Sequence, residues 1–90
     1  MQIISLDVSD LAPPEPMSSI LQSLSTLAEN SCLRIKHRRE PFPLYKKLVD
    51  AGLAYHCEVH SNDNITLYIY HLRDAPSFEQ IIKGHQGINE

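Results

Sequence analysis

The sequence has no tryptophan, only two cysteines and only three glycines. Two cysteines cannot build a disulfide framework, and a reducing compartment is expected. The glycines at positions 52, 84 and 87 make no phosphate-binding loop. There is no paired-cysteine motif and no Ser-His-Asp pattern. No apolar run approaches the roughly 20 residues needed to span a bilayer. Met1-Gln2-Ile3-Ile4 lacks the basic start and apolar stretch of a secretory signal. The expectation is a cytoplasmic protein without membrane association. Positive charge is also scarce: 8 Lys and Arg against 11 Asp and Glu, for a net charge of −3.

What is present is enough for one small core. Leu, Ile, Val and Phe make 25 of the 90 residues, above the roughly 20 % below which chains stay disordered. The basic residues are unevenly placed. Arg34, Lys36, Arg38, Arg39, Lys46 and Lys47 share positions 34–47 with one acid, Glu40, giving +5 there against −8 elsewhere. The overall field repels phosphate, so nucleic-acid binding is not expected. A local basic patch suits a small anion or an acidic partner face.

Hydrophobic periodicity orders the elements. Ile4, Leu6 and Val8 alternate with polar residues, as in a half-buried strand. Asp10-Leu11-Ala12-Pro13-Pro14-Glu15-Pro16 breaks it, and proline suits the first turn of the helix that follows. Met17, Ile20, Leu21, Leu24, Leu27 and Ala28 make one apolar stripe, predicting a helix that ends at Glu29-Asn30-Ser31. Cys32 to His37 alternates again, with Leu33 and Ile35 inward, Arg34 and Lys36 outward and Cys32 exposed. After a second proline loop, Arg38 to Pro43, Leu44, Tyr45, Leu48, Val49 and Ala51 fit a second helix. Gly52 stands where a left-handed cap is needed.

Leu53–His60 and Asn64–Leu72 read as a hairpin turning at Ser61-Asn62-Asp63. Only a register setting Val59 against Ile65, Cys57 against Leu67 and Tyr55 against Ile69 keeps one face apolar throughout. The first 74 residues form the domain. The tail, 75–90, contains a short helix over 77–83, with a capping-box start at Ser77 and Phe78, Ile81 and Ile82 on one face.

A strand–helix–strand unit makes the first two strands parallel, with a right-handed crossover. The expected fold is α+β: a two-layer α/β sandwich of βαβαββ order, with a four-stranded mixed sheet and two helices on one face. Both proline loops then lie beyond the carboxyl ends of the first two strands, where ligands usually bind. Both helix N-termini point there with spare N–H groups, beside His37, Arg38 and Arg39.

Leu11-Ala12-Pro13-Pro14-Glu15-Pro16 resembles the Cys-Pro-x-Pro motif of the TusA/SirA-like sulfur carriers. The order of elements over residues 2–72 is similar, and the resemblance implies the same fold. In those carriers the cysteine holds a persulfide. Its position here is Pro13, which has no nucleophile, so carrier chemistry at that position is excluded. The chain is more similar still to an uncharacterised TusA-related branch that lacks the cysteine and has a His-x-Arg-Glu-Pro-x-Pro-Leu-Tyr stretch, matched by His37 to Tyr45. The resemblance does not cover the tail from Arg73.

The candidate binding residues are therefore Pro13, Pro14, Glu15, Pro16, His37, Arg38, Arg39, Glu40 and Tyr45, with Glu40 expected to pair with Arg38 or Arg39. Tyr45 and Phe42 are also read as packing residues. His56, Glu58 and His60 share a strand face, with neighbours about 6.6 Å apart. Such residues diverge along a flat strand, so His56 and His60, with His37, are weak metal candidates. Cys57 is expected to pack inward.

The outer sheet face, with His56, Glu58, His60, Thr66, Tyr68 and Tyr70, is left open for water, for the tail or for a second copy. The functional expectation is a non-catalytic adaptor that uses the proline edge to hold an anion or a protein partner and needs no cofactor. The alternative is a sulfur- or metal-handling redox accessory, with His37 as ligand or proton acceptor.

Overall fold

The computed structural model describes residues 1–87, with side chains described through Gly84. The chain runs β1 (Gln2–Asp7), α1 (Glu15–Leu24), β2 (Ser31–His37), α2 (Phe42–Asp50), β3 (Leu53–Ser61), β4 (Asn64–His71), a 3-10 turn (Leu72–Asp74) and α3 (Ala75–Gly87). The last three residues of the expected tail lie outside the described residues. The four strands form one mixed sheet in the order β1-β2-β4-β3. The fold is the expected α+β sandwich with its C-terminal helix, which is longer than the 77–83 expected. No helix of the described residues is long and apolar enough to cross a membrane.

The alternating pattern sets the layers. β1 and β2 are parallel, with Ile4 opposite Leu33 and Leu6 opposite Ile35. β2 and β4 are antiparallel, continuing the same face through Ile65, Leu67 and Ile69. Val8, Ile20, Leu33, Ile35, Leu44, Leu48, Ile65, Leu67 and Ile69 close into one core beneath α1 and α2. The hairpin has the expected register, Tyr55 to Ile69, Cys57 to Leu67 and Val59 to Ile65. Its turn differs in detail. Ser61 pairs with Asn64 across a two-residue loop, and an irregularity between Val59 and Ser61 absorbs the extra residue. The bulge keeps the apolar residues facing inward despite the shorter loop. Gly52, with φ at +75°, takes the left-handed conformation after α2 that its position requires.

α1 ends at Leu24, short of the expected Ala28. Ser25 Oγ donates to the Gln22 carbonyl at 2.6 Å and Thr26 Oγ1 to the Ser23 carbonyl at 3.3 Å. These hydroxyls engage carbonyls of the last turn, and the chain leaves the helix there. Leu27 still packs against the core from the following turn.

The outer face takes one of the covers the sequence allows, the tail. α3 folds back on it, and Phe78 stacks on Tyr70 with ring centroids 4.1 Å apart. Cys32, expected to be exposed, is 0 % exposed in a second small core with Tyr70 and Phe78. The start of β2 is covered because α3 crosses that half of the sheet. Three contacts tie the turn before α3 to the loop before β2. The Asn30 N–H donates to Asp74 Oδ2 at 2.8 Å, Arg73 Nη2 to Glu29 Oε1 at 2.7 Å, and His71 Nε2 lies 3.0 Å from the Leu27 carbonyl.

Candidate functional site

The two proline turns meet at one corner, beyond the carboxyl ends of β1 and β2. The first begins with an Asx-type turn: Asp7 Oδ1 accepts from the Ser9 N–H at 2.9 Å and from Ser9 Oγ at 2.5 Å. The Ser9 hydroxyl, with the Ser9 N–H, holds the Asp7 carboxyl below its ordinary value. The Val8 N–H continues the sheet by donating to the Lys36 carbonyl at 3.0 Å. The chain then turns through a cis Pro13–Pro14 bond into α1.

Between the turns lies a two-lobed cleft. One lobe, about 260 Å³, is lined by Val8, Leu11, Pro13, Pro16, His37, Arg38 and Arg39. The adjoining lobe, about 150 Å³, is lined by Pro13, Pro14, Pro16, Met17, Ile20, His37 and Pro41 and is almost wholly apolar. Pro13, Pro16 and His37 line both. One lobe is therefore bordered by two arginines, and the other is almost wholly apolar. Among the described residues neither Arg38 nor Arg39 has a side-chain hydrogen bond or ion pair.

The expected reservoir of helix N–H groups is smaller than the sequence implies. Pro16 and Pro43 each occupy the second residue of a helix and have no N–H to offer. The Glu15 and Ser18 N–H groups donate to the Ala12 and Pro14 carbonyls, and those of Phe42 and Leu44 to the Glu40 and Pro41 carbonyls. Most first-turn donors are thus satisfied by the turns themselves. The positive charge at this corner rests on Arg38 and Arg39.

His37 sits between the lobes, half-buried. Its Nδ1 accepts the Arg39 N–H at 3.1 Å. The neutral ring therefore carries its proton on Nε2, which has no partner among the described residues. Burial first, and the Arg38 charge second, lower the His37 pKa and favour that neutral form. At neutral pH the His37 ring offers an N–H donor at Nε2.

Glu40 and Tyr45 lie behind the cleft and do not line it. The sequence predicts that Glu40 pairs with Arg38 or Arg39; instead Tyr45 Oη donates to Glu40 Oε2 at 2.6 Å. The Tyr45 ring stacks on Tyr55 with centroids 3.9 Å apart. Burial, then the Glu40 hydrogen bond and contact with the Cys57 thiol, push the Tyr45 phenol well above its ordinary value. Arg38 and Arg39 thus stand on a turn braced by one strong hydrogen bond. Glu15 is exposed in the first turn of α1 and joins neither lobe.

Sequence reasoning missed the apolar lining from Leu11, Met17 and Ile20. Their periodicity places Met17 and Ile20 in the core stripe alone. The available signal was that the stripe begins at the proline turn, one turn beyond the sheet end.

The other candidates disperse. The basic patch divides: Arg34 and Lys36 face the outer side, where Arg34 Nη2 donates to Ser5 Oγ at 2.9 Å, and Lys46 and Lys47 are exposed on α2. His56 lies 3.6 Å from Glu58 and against Tyr68 and Phe78. His60 Nε2 lies 2.8 Å from Thr66 Oγ1. Among the described residues no group of three or more His, Cys, Asp or Glu side chains is placed to hold a metal ion. Cys57 is half-buried and packs against the main core, as expected.

Residues 5–71 match the sequence profile of a family described as "Uncharacterized conserved protein (DUF2249)". No curated protein and no solved structure matches the chain.

Proposed function

The chain belongs to the family described as Uncharacterized conserved protein (DUF2249), and from that premise we propose that it is a TusA-like, non-catalytic binding domain. Its proline corner holds an anionic ligand or a protein partner. The TusA-like reading is supported by the βαβαββ order and by the proline turn that opens α1 where the sulfur carriers have Cys-Pro-x-Pro. The binding reading is carried by one observation: both proline turns and two unpaired arginines line a single cleft.

The absence of a nucleophile there supports a non-catalytic role. Pro13 occupies the carrier position. Cys32 is sealed under α3, and Cys57 packs inward against Tyr45. The donor form of neutral His37 adds a hydrogen-bond donor for an anion beside the guanidinium groups. The two free thiols support a reducing compartment such as the cytoplasm.

Amide NMR during titration with acetate, sulfate and phosphate tests the reading. The expected result is saturating shifts confined to residues 8–17 and 37–45, removed by Arg38→Gln with Arg39→Gln. No shifts in these segments at tens of millimolar anion overturn the anion-binding reading.

A further inference from the structure

We infer that the cleft recognises a short peptide segment of a partner protein, carrying an acidic side chain close to an apolar one of about leucine or phenylalanine size. This rests on the binding role proposed above and names the ligand chemistry. The two lobes have different character. Arg38 and Arg39 rim the larger and suit a carboxylate, with the His37 Nε2–H as a further donor. The smaller, about 150 Å³ and bounded by Pro13, Pro14, Met17, Ile20 and Pro41, offers an apolar side chain nothing polar to displace. Because Pro13, Pro16 and His37 line both, the two subsites abut, as neighbouring side chains of an extended peptide require.

Continuity of the surface favours a peptide over a small metabolite, because a peptide runs on past the cleft. On the other side of the arginine pair a broad depression is lined by Arg38, Arg39, Phe42 and Val59. Phe42 is 67 % exposed and Val59 66 % exposed. Aromatic and arginine side chains clustered in this way are typical of protein interfaces.

Charge adds selectivity. The chain outside positions 34–47 is strongly acidic, so an acidic segment is repelled from most of the surface and steered to the corner. The prolines hold both walls in advance, so little ordering opposes binding.

The test uses amidated hexapeptides in a Gly/Ser background. Each carries one Asp or Glu and one Leu or Phe, in both orders and at spacings of one to three residues. Asn and Ala replacements, free acetate and isovalerate serve as controls. Binding is followed by amide shifts of residues 8–17 and 37–45 in the full chain. At least one peptide should bind about tenfold tighter than both its Asn and its Ala counterparts and tighter than isovalerate.

Arg38→Gln with Arg39→Gln, exposed positions that leave the fold intact, should erase the preference for the acid and retain that for leucine. Met17→Gln should do the reverse. The Leu-to-Ala peptide comparison reads the same subsite without altering the protein. Equal binding of acidic and Asn peptides overturns the inference, as does isovalerate binding as tightly as any peptide. If acetate shifts the corner and no peptide improves on it, the peptide inference falls and the anion-binding role stands. If neither perturbs the corner, both fall.

Discussion

Replacing Phe78 by alanine should release α3 and expose a thiol on the other side of it. Phe78 is 3 % exposed, stacks on Tyr70 and reaches Tyr68 and His56 at centroid distances of 5.4 and 5.8 Å. Truncating a buried phenylalanine costs about 3–5 kcal/mol where the cavity cannot collapse. Here the cost has a ceiling, because once α3 leaves the sheet there is nothing further to lose. A loss of about 3 kcal/mol is expected, lowering the melting temperature of a chain this size by about 15 °C.

Cys32 reports the event separately. Its thiol is sealed beneath the helix, and burial pushes its pKa up to about 11. If alkylation requires α3 to lift, 3 kcal/mol raises the open fraction, and the alkylation rate, about a hundredfold. Iodoacetamide labelling at pH 8, read by mass spectrometry, measures this against Cys57. Cys57 packs against the main core on the opposite face and serves as the internal control. Unchanged melting together with unchanged Cys32 labelling refutes the assignment of α3 as the cover of the outer face.

Four further outcomes follow from the same contacts. Tyr45→Phe removes the donor to Glu40 Oε2 and leaves a half-buried carboxylate without it, which should cost about 1–2 kcal/mol in urea denaturation. Arg38→Gln and Arg39→Gln should each change stability by less than about 0.5 kcal/mol, because neither guanidinium has a partner among the described residues. The His37 pKa is lowered in the fold, so the unfolded chain takes up that proton first. The stability this contributes is present above pH 6.5 and is lost as pH falls below it, and His37→Asn should flatten that part of a urea-stability profile. Cys32, Cys57, Tyr45, Tyr68 and Tyr70 are all raised by burial, so the unfolded chain releases those protons first. Stability should fall as pH climbs above about 9, less steeply in Cys32→Ala, as measured by denaturation between pH 8.5 and 10.5.

The hairpin register was readable because residues 55–59 and 65–69 offer only one pairing with an uninterrupted apolar face. The meeting of the proline turns was readable too, since a right-handed strand–helix–strand crossover puts both at one sheet end. The burial of Cys32 was not. It depends on where an amphipathic tail lands, and Phe78, Ile81 and Ile82 mark a sticky face without marking its target. Nor was the bond from Tyr45 to Glu40. In sequence Glu40 adjoins two arginines, but the turn into α2 carries it toward the phenol five residues on. The apolar half of the site went unread because Met17 and Ile20 follow the same periodicity as the core residues after them.

On the proposed function Arg38 and Arg39, not the other basic residues, form the anion-accepting edge. Selenate soaked into crystals of the full chain and located by anomalous scattering tests it most directly. The expected result is an ion over Pro13, between the two guanidinium groups and the His37 ring. Selenate bound instead to Arg34 and Lys36 on the outer face, with the corner empty, would contradict it.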